Sequence, residues 1–537
     1  MNPVIITTAM NHVFGELSSP NTLILGFGES GLAMAKWGNQ HGAQIKIHDT
    51  RHESTIPETL LEKVGELRIK GITQISSGEI AIEELLNGID LIGMSPGLSP
   101  NTPYLKNLLE HAKIASIPVW GELEFFTRAL NALKAEFEYA PKLIAITGTN
   151  GKTTTTALTG TICKHAQKSV AIAGNISPSL LDKLSELISD QQELPEIWVL
   201  ELSSFQLFYS LTFNPDAATI LNVTQDHLDW HGDMDHYFEA KTKVFGEQTI
   251  AILNRDDKRV IDLLKKTNFD NRRVITFGVE APFEADSFGI TGDMNAGGID
   301  WLAWIEPPLE DESIGKRKRR TQKVNAYDEE PLRIKRLIPV EALLIKGRHN
   351  AANTLAALAL ANAIGLGMGQ LLHGLRSYHG EPHRVQTIGI VDDVEYIDDS
   401  KGTNVGATIA ALRGIGHQHQ QEYKKIILII GGDGKGQDFS PLQLPIEQFA
   451  KKVILIGKDA SLIEHVVKQT HVPYELAQSL EDAVHKAADS AKTGNCVLLS
   501  PACASFDMFK NYAHRAEVFL QAVNDLELSK CSSGVSI

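Results

Sequence analysis

Along the chain, short apolar runs alternate with segments of helical length, and the alternation appears in three successive series. Residues 22–25, 44–48 and 91–94 are strand-like runs of a first series reaching from residue 21 to about 126. Separated by helix-like segments, they predict a parallel α/β sheet. A second series opens at Lys142, with runs at 143–147, 197–200 and 217–222. It continues through a polar stretch at 306–336 to an Ala- and Leu-rich helix expected over 353–364. Gly380 and Pro382 make 379–384 a hinge by its turn residues. Runs at 426–430, 453–456 and 497–499 form the third series. We therefore expect an α/β protein of three domains, at residues 1–126, 127–380 and 381–537. A chain of 537 residues is long enough for several cores.

Composition narrows the class. With 43% apolar and 22% charged residues the chain reads as globular, and no apolar run approaches the length of a membrane span. Residues 1–20 lack the basic and apolar regions of a secretory signal, so a cytoplasmic location without membrane insertion is expected. Cys163, Cys496, Cys503 and Cys531 show no C-x-x-C spacing, which fits a reducing compartment and indicates no zinc site. A net charge of -15 argues against nucleic acid as partner. The basic run KRKRR at 316–320 reads as part of a solvated insertion, and His417 and His419 as members of a polar surface loop at 417–421.

Two glycine loops carry chemistry. Gly148, Thr149, Asn150, Gly151, Lys152, Thr153 and Thr154 follow a strand-like run and open a helix-like one. Such glycines let backbone N–H groups face an anion, the helix start adds a positive dipole end, and Lys152 and Thr153 suit phosphate and Mg²⁺. Ile146 stands where the usual spacing has its first glycine, so a chance glycine-lysine turn is the bland alternative. Gly26, Gly28 and Gly31 also follow a strand-like run, with Asp49 at about the distance of a ribose acid. Alone this suggests NAD, although the same turn holds any diphosphate or simply packs a helix on a sheet. Glu201, closing the run 197–200, is placed to reach Mg²⁺ beside the first loop, and Asp226, His227 and Asp229 follow the next strand. Two nucleotide loops point to ATP spent on a substrate that itself carries a nucleotide.

These motifs resemble the Mur ligase family over residues 23–519. The resemblance rests on GTNGKTTTT (148–156), GN (174–175), ELSSFQL (201–207), LNVTQDHLDWH (221–231), HN (349–350) with Asn353, PHR (382–384), DSKGTN (399–404), GGDGKGQDF (431–439) and LLSPACASFD (498–507). The last two are similar to the branch that adds D-glutamate. The resemblance implies a Rossmann-like N-terminal domain binding the UDP substrate and a central P-loop ATPase-like domain. A Rossmann-like C-terminal domain would bind the amino acid and close on ATP. It implies an ATP- and Mg²⁺-dependent ligase of peptidoglycan precursor synthesis, acting as a monomer. ATP would phosphorylate the carboxylate of UDP-N-acetylmuramoyl-L-alanine, and the amine of D-glutamate would attack the acyl phosphate.

Carried over residue by residue, Lys152 would hold the ATP phosphates and Asn175 would sit near the transferring phosphate. Thr153 and Glu201 would hold one Mg²⁺; His227 and a carbamylated Lys241 would hold a second. Asn353 would lie near adenine, with Arg384 and Asp399 reaching ATP from the third domain. Lys401, Thr403, Lys435, Ser505 and Tyr512 would surround the amino acid. Ser30, Asp49, Thr50 and Arg51 would bind the uridine nucleotide, so that loop would serve UDP rather than NAD. Cys503 is expected to be a packed thiol, since the reaction needs no covalent enzyme step. Another ligase of the superfamily, such as a folylpolyglutamate synthetase, is the nearest rival. An NAD-dependent oxidoreductase would leave the ATP loop idle, and a non-catalytic nucleotide-binding scaffold would tolerate loss of Lys152 or Glu201, yet both are present.

Overall fold

The computed structural model describes residues 12–69, 71–265, 269, 272–293, 298–307, 333–345, 347–418 and 426–533. The basic run at 316–320 lies outside them, as do residues 1–11. The fold divides into two compact units. One runs to Val223 and adds His227–Ile338 and Thr354–Leu375; the other comprises Thr224–Asp226, Pro339–Asn353 and the chain from Arg376 onward.

The first unit holds two sheets. The smaller is built from β1 (Asn21–Leu25), β2 (Gln44–Asp49), β3 (Gln74–Ser77), β4 (Leu91–Met94) and β5 (Val119–Trp120) in the order β3-β2-β1-β4-β5, with every pairing parallel. The chain leaves β1 in one direction and returns beside it with β4. The loop after β1 therefore opens at a switch point, where open α/β sheets bind ligands.

The larger sheet comprises β6 (Lys142–Thr147), β7 (Val170–Gly174), β8 (Ile197–Glu201), β9 (Ala217–Ile220), β10 (Ile250–Asn254), β11 (Val274–Phe277), β12 (Ser287–Asp293), β13 (Ile299–Ile305) and β14 (Ile334–Pro339). Its order is β14-β13-β12-β11-β10-β9-β6-β8-β7. Pairing from β7 to β12 is parallel, and β13 turns back antiparallel on β12. β6 lies between β8 and β9, so the loop after it also opens at a switch point.

The second unit carries β15 (Gln386–Val391), β16 (Val394–Asp398), β17 (Ile426–Gly431), β18 (Ala450–Ile456), β19 (Tyr474–Leu476) and β20 (Cys496–Leu499), ordered β15-β16-β20-β17-β18-β19. Only β15 runs antiparallel to its neighbour.

The apolar runs translate into strands because parallel strands are covered on both faces. β4, β8 and β17 are buried at every position. One apolar core joins both sheets of the first unit. The helix Glu122–Phe137 contributes Phe125 and Phe126 to it and runs across position 126; Phe126 meets the Trp198 ring edge-on at 5.0 Å.

Three details differ from the expected pattern. The helix expected over 353–364 begins at Arg348, because its polar first turn carries no apolar periodicity. β9 stops at Ile220; Leu221 N–H donates to the Thr147 carbonyl at the end of β6, and the Asn222 carbonyl accepts from Thr149 N–H in the loop after it. His417 and Gln418 close the helix Val405–Gln418 rather than opening a loop, while residues 419–421 lie outside the described ones. Among the described residues, no helix is long and apolar enough to cross a membrane.

Candidate active site

The loop after β6 is held by its neighbour strand. Thr149 N–H donates to the Asn222 carbonyl at 2.9 Å. The Asn222 amide accepts from Asn150 N–H at 2.9 Å and donates back to the Asn150 carbonyl at 3.0 Å. Thr149 Oγ1 lies 3.1 Å from the Tyr237 hydroxyl. Lys152 opens the helix Lys152–His165 and folds back, its Nζ donating to the carbonyls of Gly148 at 2.8 Å and Thr149 at 3.0 Å. Thr153 and Thr154 follow in the first turn, 3% and 6% exposed. Gly151 N-caps this helix in the left-handed region. The result is a helix start with a shaped backbone cradle and a cation across it, a geometry for phosphate.

Beside the loop, β8 ends in Glu201, which pairs with Ile146 on one side and Gly174 on the other. A side chain at Gly174 would place its Cβ 2.2 Å from the Glu201 carbonyl, at φ +123°, so only glycine fits. That close approach brings Asn175 over the carboxylate: its N–H donates to the Glu201 carbonyl at 2.7 Å, and Nδ2 to Oε1 at 3.2 Å. Glu201 Oε2 is buried with no hydrogen-bond partner. An orphaned carboxylate oxygen suits a hard cation. Among the described residues no group of three or more His, Cys, Asp and Glu forms a metal site. One carboxylate and one hydroxyl from Thr153 do suit Mg²⁺, which usually retains waters and phosphate oxygens.

Lys241, 1% exposed, reaches the same loop. Its Nζ donates to the Gly148 carbonyl at 3.0 Å and lies 4.6 Å from the Tyr237 ring centroid. His227 caps the short helix Leu228–His231 at φ +54°, an uncommon conformation for a residue with a side chain, and its ring meets Phe205 at 4.7 Å. His231 is buried, with Nε2 2.9 Å from Ser204 Oγ and Nδ1 without a partner. Burial, reinforced by the Lys241 charge, lowers its pKa to about 4.

In the loop after β1, a Cβ on Gly31 would stand 2.1 Å from the Gly26 carbonyl, so the helix start packs directly on the turn. Asp49, 1% exposed, accepts four hydrogen bonds. They come from Phe27 N–H at 2.9 Å, Arg51 N–H at 2.9 Å, and Arg51 Nε and Nη2 at 2.8 Å each. Burial alone would raise its pKa, but the Arg51 guanidinium and the two backbone N–H groups hold it below the usual carboxylate range. Four donors fill the acceptor sites of a carboxylate, leaving none for a ribose diol. The NAD reading thus loses its acidic residue. Thr50 is half-buried beside the pair, and Ser30 Oγ donates to Glu122 at 2.6 Å.

In the second unit, Asp398 closes β16 and Asp399 follows it. Asp398 lies 2.7 Å from His383 Nδ1 and accepts from Ser400 N–H at 2.9 Å and Ser400 Oγ at 2.6 Å. Asp399, 6% exposed, accepts from Ser500 Oγ at 2.7 Å. Burial pushes its carboxyl up to about 7, against that hydrogen bond and the Arg384 charge. Lys401 Nζ lies 5.3 Å from the Tyr512 ring centroid, and Thr403 N–H donates to the Lys401 carbonyl at 3.0 Å. Lys435 is exposed at φ +51°, on a loop joined to that of Ser505 by the Asp433–Ala504 bridge. Asn353 Nδ2 donates to Asn350 at 3.2 Å.

Two residues that organise these loops are not marked as functional by the sequence. Arg515, fully buried, donates to the carbonyls of Ser400 at 2.7 Å and Cys503 at 3.2 Å, joining the loop of Lys401 to that of Ser505. Nothing in its spacing marks it. Asn222 lies inside a quoted motif, yet its role appears only when β9 and the phosphate loop are adjacent. Cys503 is buried, and burial pushes its thiol up to about 12, so it stays protonated and packed.

Comparison with known proteins gives three family matches. Residues 20–119 match the Mur ligase MurD-like N-terminal domain, 146–302 the Mur ligase middle domain and 383–503 the Mur ligase glutamate ligase domain. The chain is 51% identical to the UDP-N-acetylmuramoylalanine--D-glutamate ligase of Cupriavidus pinatubonensis over 521 residues, covering 96% of this chain and 99% of that one. It is 50% identical to the enzyme of the same name from Ralstonia nicotianae, covering 95% and 98%. Among solved structures, the MurF ligase of Thermotoga maritima in complex with ADP aligns with a TM-score of 0.54 at 17% identity, covering 95% and 96%. The UDP-N-acetylmuramate-alanine ligase MurC of Thermotoga maritima aligns with a TM-score of 0.51 at 18% identity, covering 94% and 99%. These two likenesses concern the fold.

Proposed function

The chain belongs to the Mur ligase family, and from that premise we propose that it is the ATP-dependent ligase that adds D-glutamate to UDP-N-acetylmuramoyl-L-alanine in peptidoglycan precursor synthesis. Identity of 51% to a D-glutamate ligase over 96% of the chain carries the reading. In this reading it acts in the cytoplasm as a monomer.

A carboxylate is a poor electrophile at neutral pH. Transfer of the ATP γ-phosphoryl group to the alanyl carboxylate creates a leaving group; the D-glutamate amine then attacks the carbonyl carbon, the amide forms, and phosphate departs. The loop 148–154 orients the ATP phosphates, and Lys152 offsets their charge. Asn175, held against Glu201, is supported by its position as a donor to the transferring phosphate. Mg²⁺, when bound by Thr153 and Glu201, supplies further charge neutralisation, and His227 with a carbamylated Lys241 would hold a second ion. Lys401, Thr403, Lys435, Ser505 and Tyr512 offer cations and hydroxyls to a dicarboxylate. Asn353, Arg384 and Asp399 serve ATP, and Ser30, Thr50 and Arg51 serve the uridine nucleotide, with Asp49 fixing Arg51.

Phosphate release with ATP, Mg²⁺ and UDP-N-acetylmuramoyl-L-alanine tests the reading. D-glutamate should stimulate release far above L-glutamate or lysine; equal release with all three would overturn it.

A further inference from the structure

Glu122 is a fully buried carboxyl that the proposed chemistry does not use. It is 1% exposed and opens the helix Glu122–Phe137. Oε2 accepts from Ser30 Oγ at 2.6 Å, and Oε1 accepts from Leu181 N–H at 3.0 Å. Ser30 lies in the first turn of the helix Glu29–Gln40, directly after the glycine loop of the smaller sheet. Leu181 lies in the first turn of the helix Leu180–Ser189, a few residues after Asn175. One carboxylate thus receives the starts of two helices, from the first turn of a third. Each helix start presents unsatisfied N–H groups and a positive dipole end, which favours an anion there. Burial pulls the other way and raises the Glu122 pKa, with hydrogen bonds from Ser30, Leu181 and Ser179 opposing it. On the outer side of the same two helices, Lys36 Nζ lies 3.7 Å from Asp182 Oδ1.

We infer that Glu122 is a positioning residue that ties the nucleotide-binding helix start at Ser30 to the helix following Asn175. It thereby fixes the distance between the nucleotide end and the reacting carboxylate end of one extended substrate. This rests on the proposed function for the identity of that substrate. A ligand touching only the nucleotide loop gains little from the tie, whereas one that spans both loops depends on it.

The test is calorimetric binding of UDP alone and of UDP-N-acetylmuramoyl-L-alanine to the full chain. Glu122→Ala should weaken the longer ligand about tenfold more than UDP, because it removes both hydrogen bonds of the tie. Glu122→Gln should preserve the ratio of the two affinities within about threefold, since its amide accepts from Leu181 and donates to Ser30. If Glu122→Ala does not fold, Glu122→Asp, one methylene too short to reach both partners, makes the same comparison. An unchanged ratio in the Ala or Asp variant would overturn the inference, as would a Gln variant as weak as Ala. Because binding is read without turnover, absence of D-glutamate-dependent phosphate release in the parent protein would count against the proposed function and not against this coupling.

Discussion

The Glu201 carboxylate is held from one side only: Asn175 Nδ2 donates to Oε1 at 3.2 Å, while Oε2 is buried and unpartnered. Neighbouring strand ends place the two residues together, and the unpartnered oxygen is the ground for the proposed cation.

Glu201→Gln should lower phosphate release by about 10²-fold or more, the usual effect of removing one group that stabilises developing charge. The same change should raise the melting temperature of the nucleotide-free protein in a chelator, because it removes a buried carboxylate that no cation then offsets. Calorimetric melting and phosphate release check the two halves. A variant that loses activity and also melts lower would contradict the cation role.

Lys241 is nearly enclosed, with Tyr237 on one side and the Gly148 carbonyl on the other. If it is carbamylated, activity should fall about tenfold or more in bicarbonate-depleted buffer and return on adding bicarbonate, as when a metal site loses an oriented ligand. Labelled bicarbonate should give a carbamate carbon resonance that is absent from Lys241→Arg. Full activity without bicarbonate and no such resonance would leave Lys241 as an amine.

Asn222→Ala removes both amide bonds to Asn150. The loop should loosen, raising the KM for ATP about tenfold and costing about 1–3 kcal/mol of stability, the net worth of two hydrogen bonds. Steady-state kinetics and urea unfolding measure these separately. A fall in kcat with an unchanged KM for ATP would place Asn222 elsewhere in the mechanism.

Asp399 gives a pH dependence with a definite sign. Its folded pKa, about 7, lies above the ordinary value of 3.8, so the folded state binds the proton more tightly than the unfolded state. The favourable contribution is complete below the unfolded pKa and is lost as pH rises through the folded one. Relative to the parent protein, Asp399→Asn should gain melting temperature as pH rises from about 4 to 7. The gain should level off above that and come with lost activity. A gap independent of pH would show that the carboxyl titrates normally.

Much of this architecture is legible in the amino-acid order. Runs such as 426–430 are apolar because β17 is buried on both faces, and the motif around Lys152 carries its strand and helix with it. Polar contacts made across the fold are not legible. Asp49 looked like a ribose acid from its spacing, and only side-chain geometry reveals that Arg51 fills it. Arg515 and Glu122 are spaced like any residues of amphipathic helices; their burial follows from loops and helix starts that sequence separates widely. Apolar periodicity likewise misses the start at Arg348, where the first turn of the helix is polar.

The most direct test concerns where the phosphoryl group goes. UDP-N-acetylmuramoyl-L-alanine labelled with ¹⁸O in its alanyl carboxylate should be turned over with ATP, Mg²⁺ and D-glutamate, and the released phosphate examined by mass spectrometry. Attack on an acyl phosphate predicts that the phosphate carries one labelled oxygen from the substrate. Unlabelled phosphate accompanying amide formation would contradict the account.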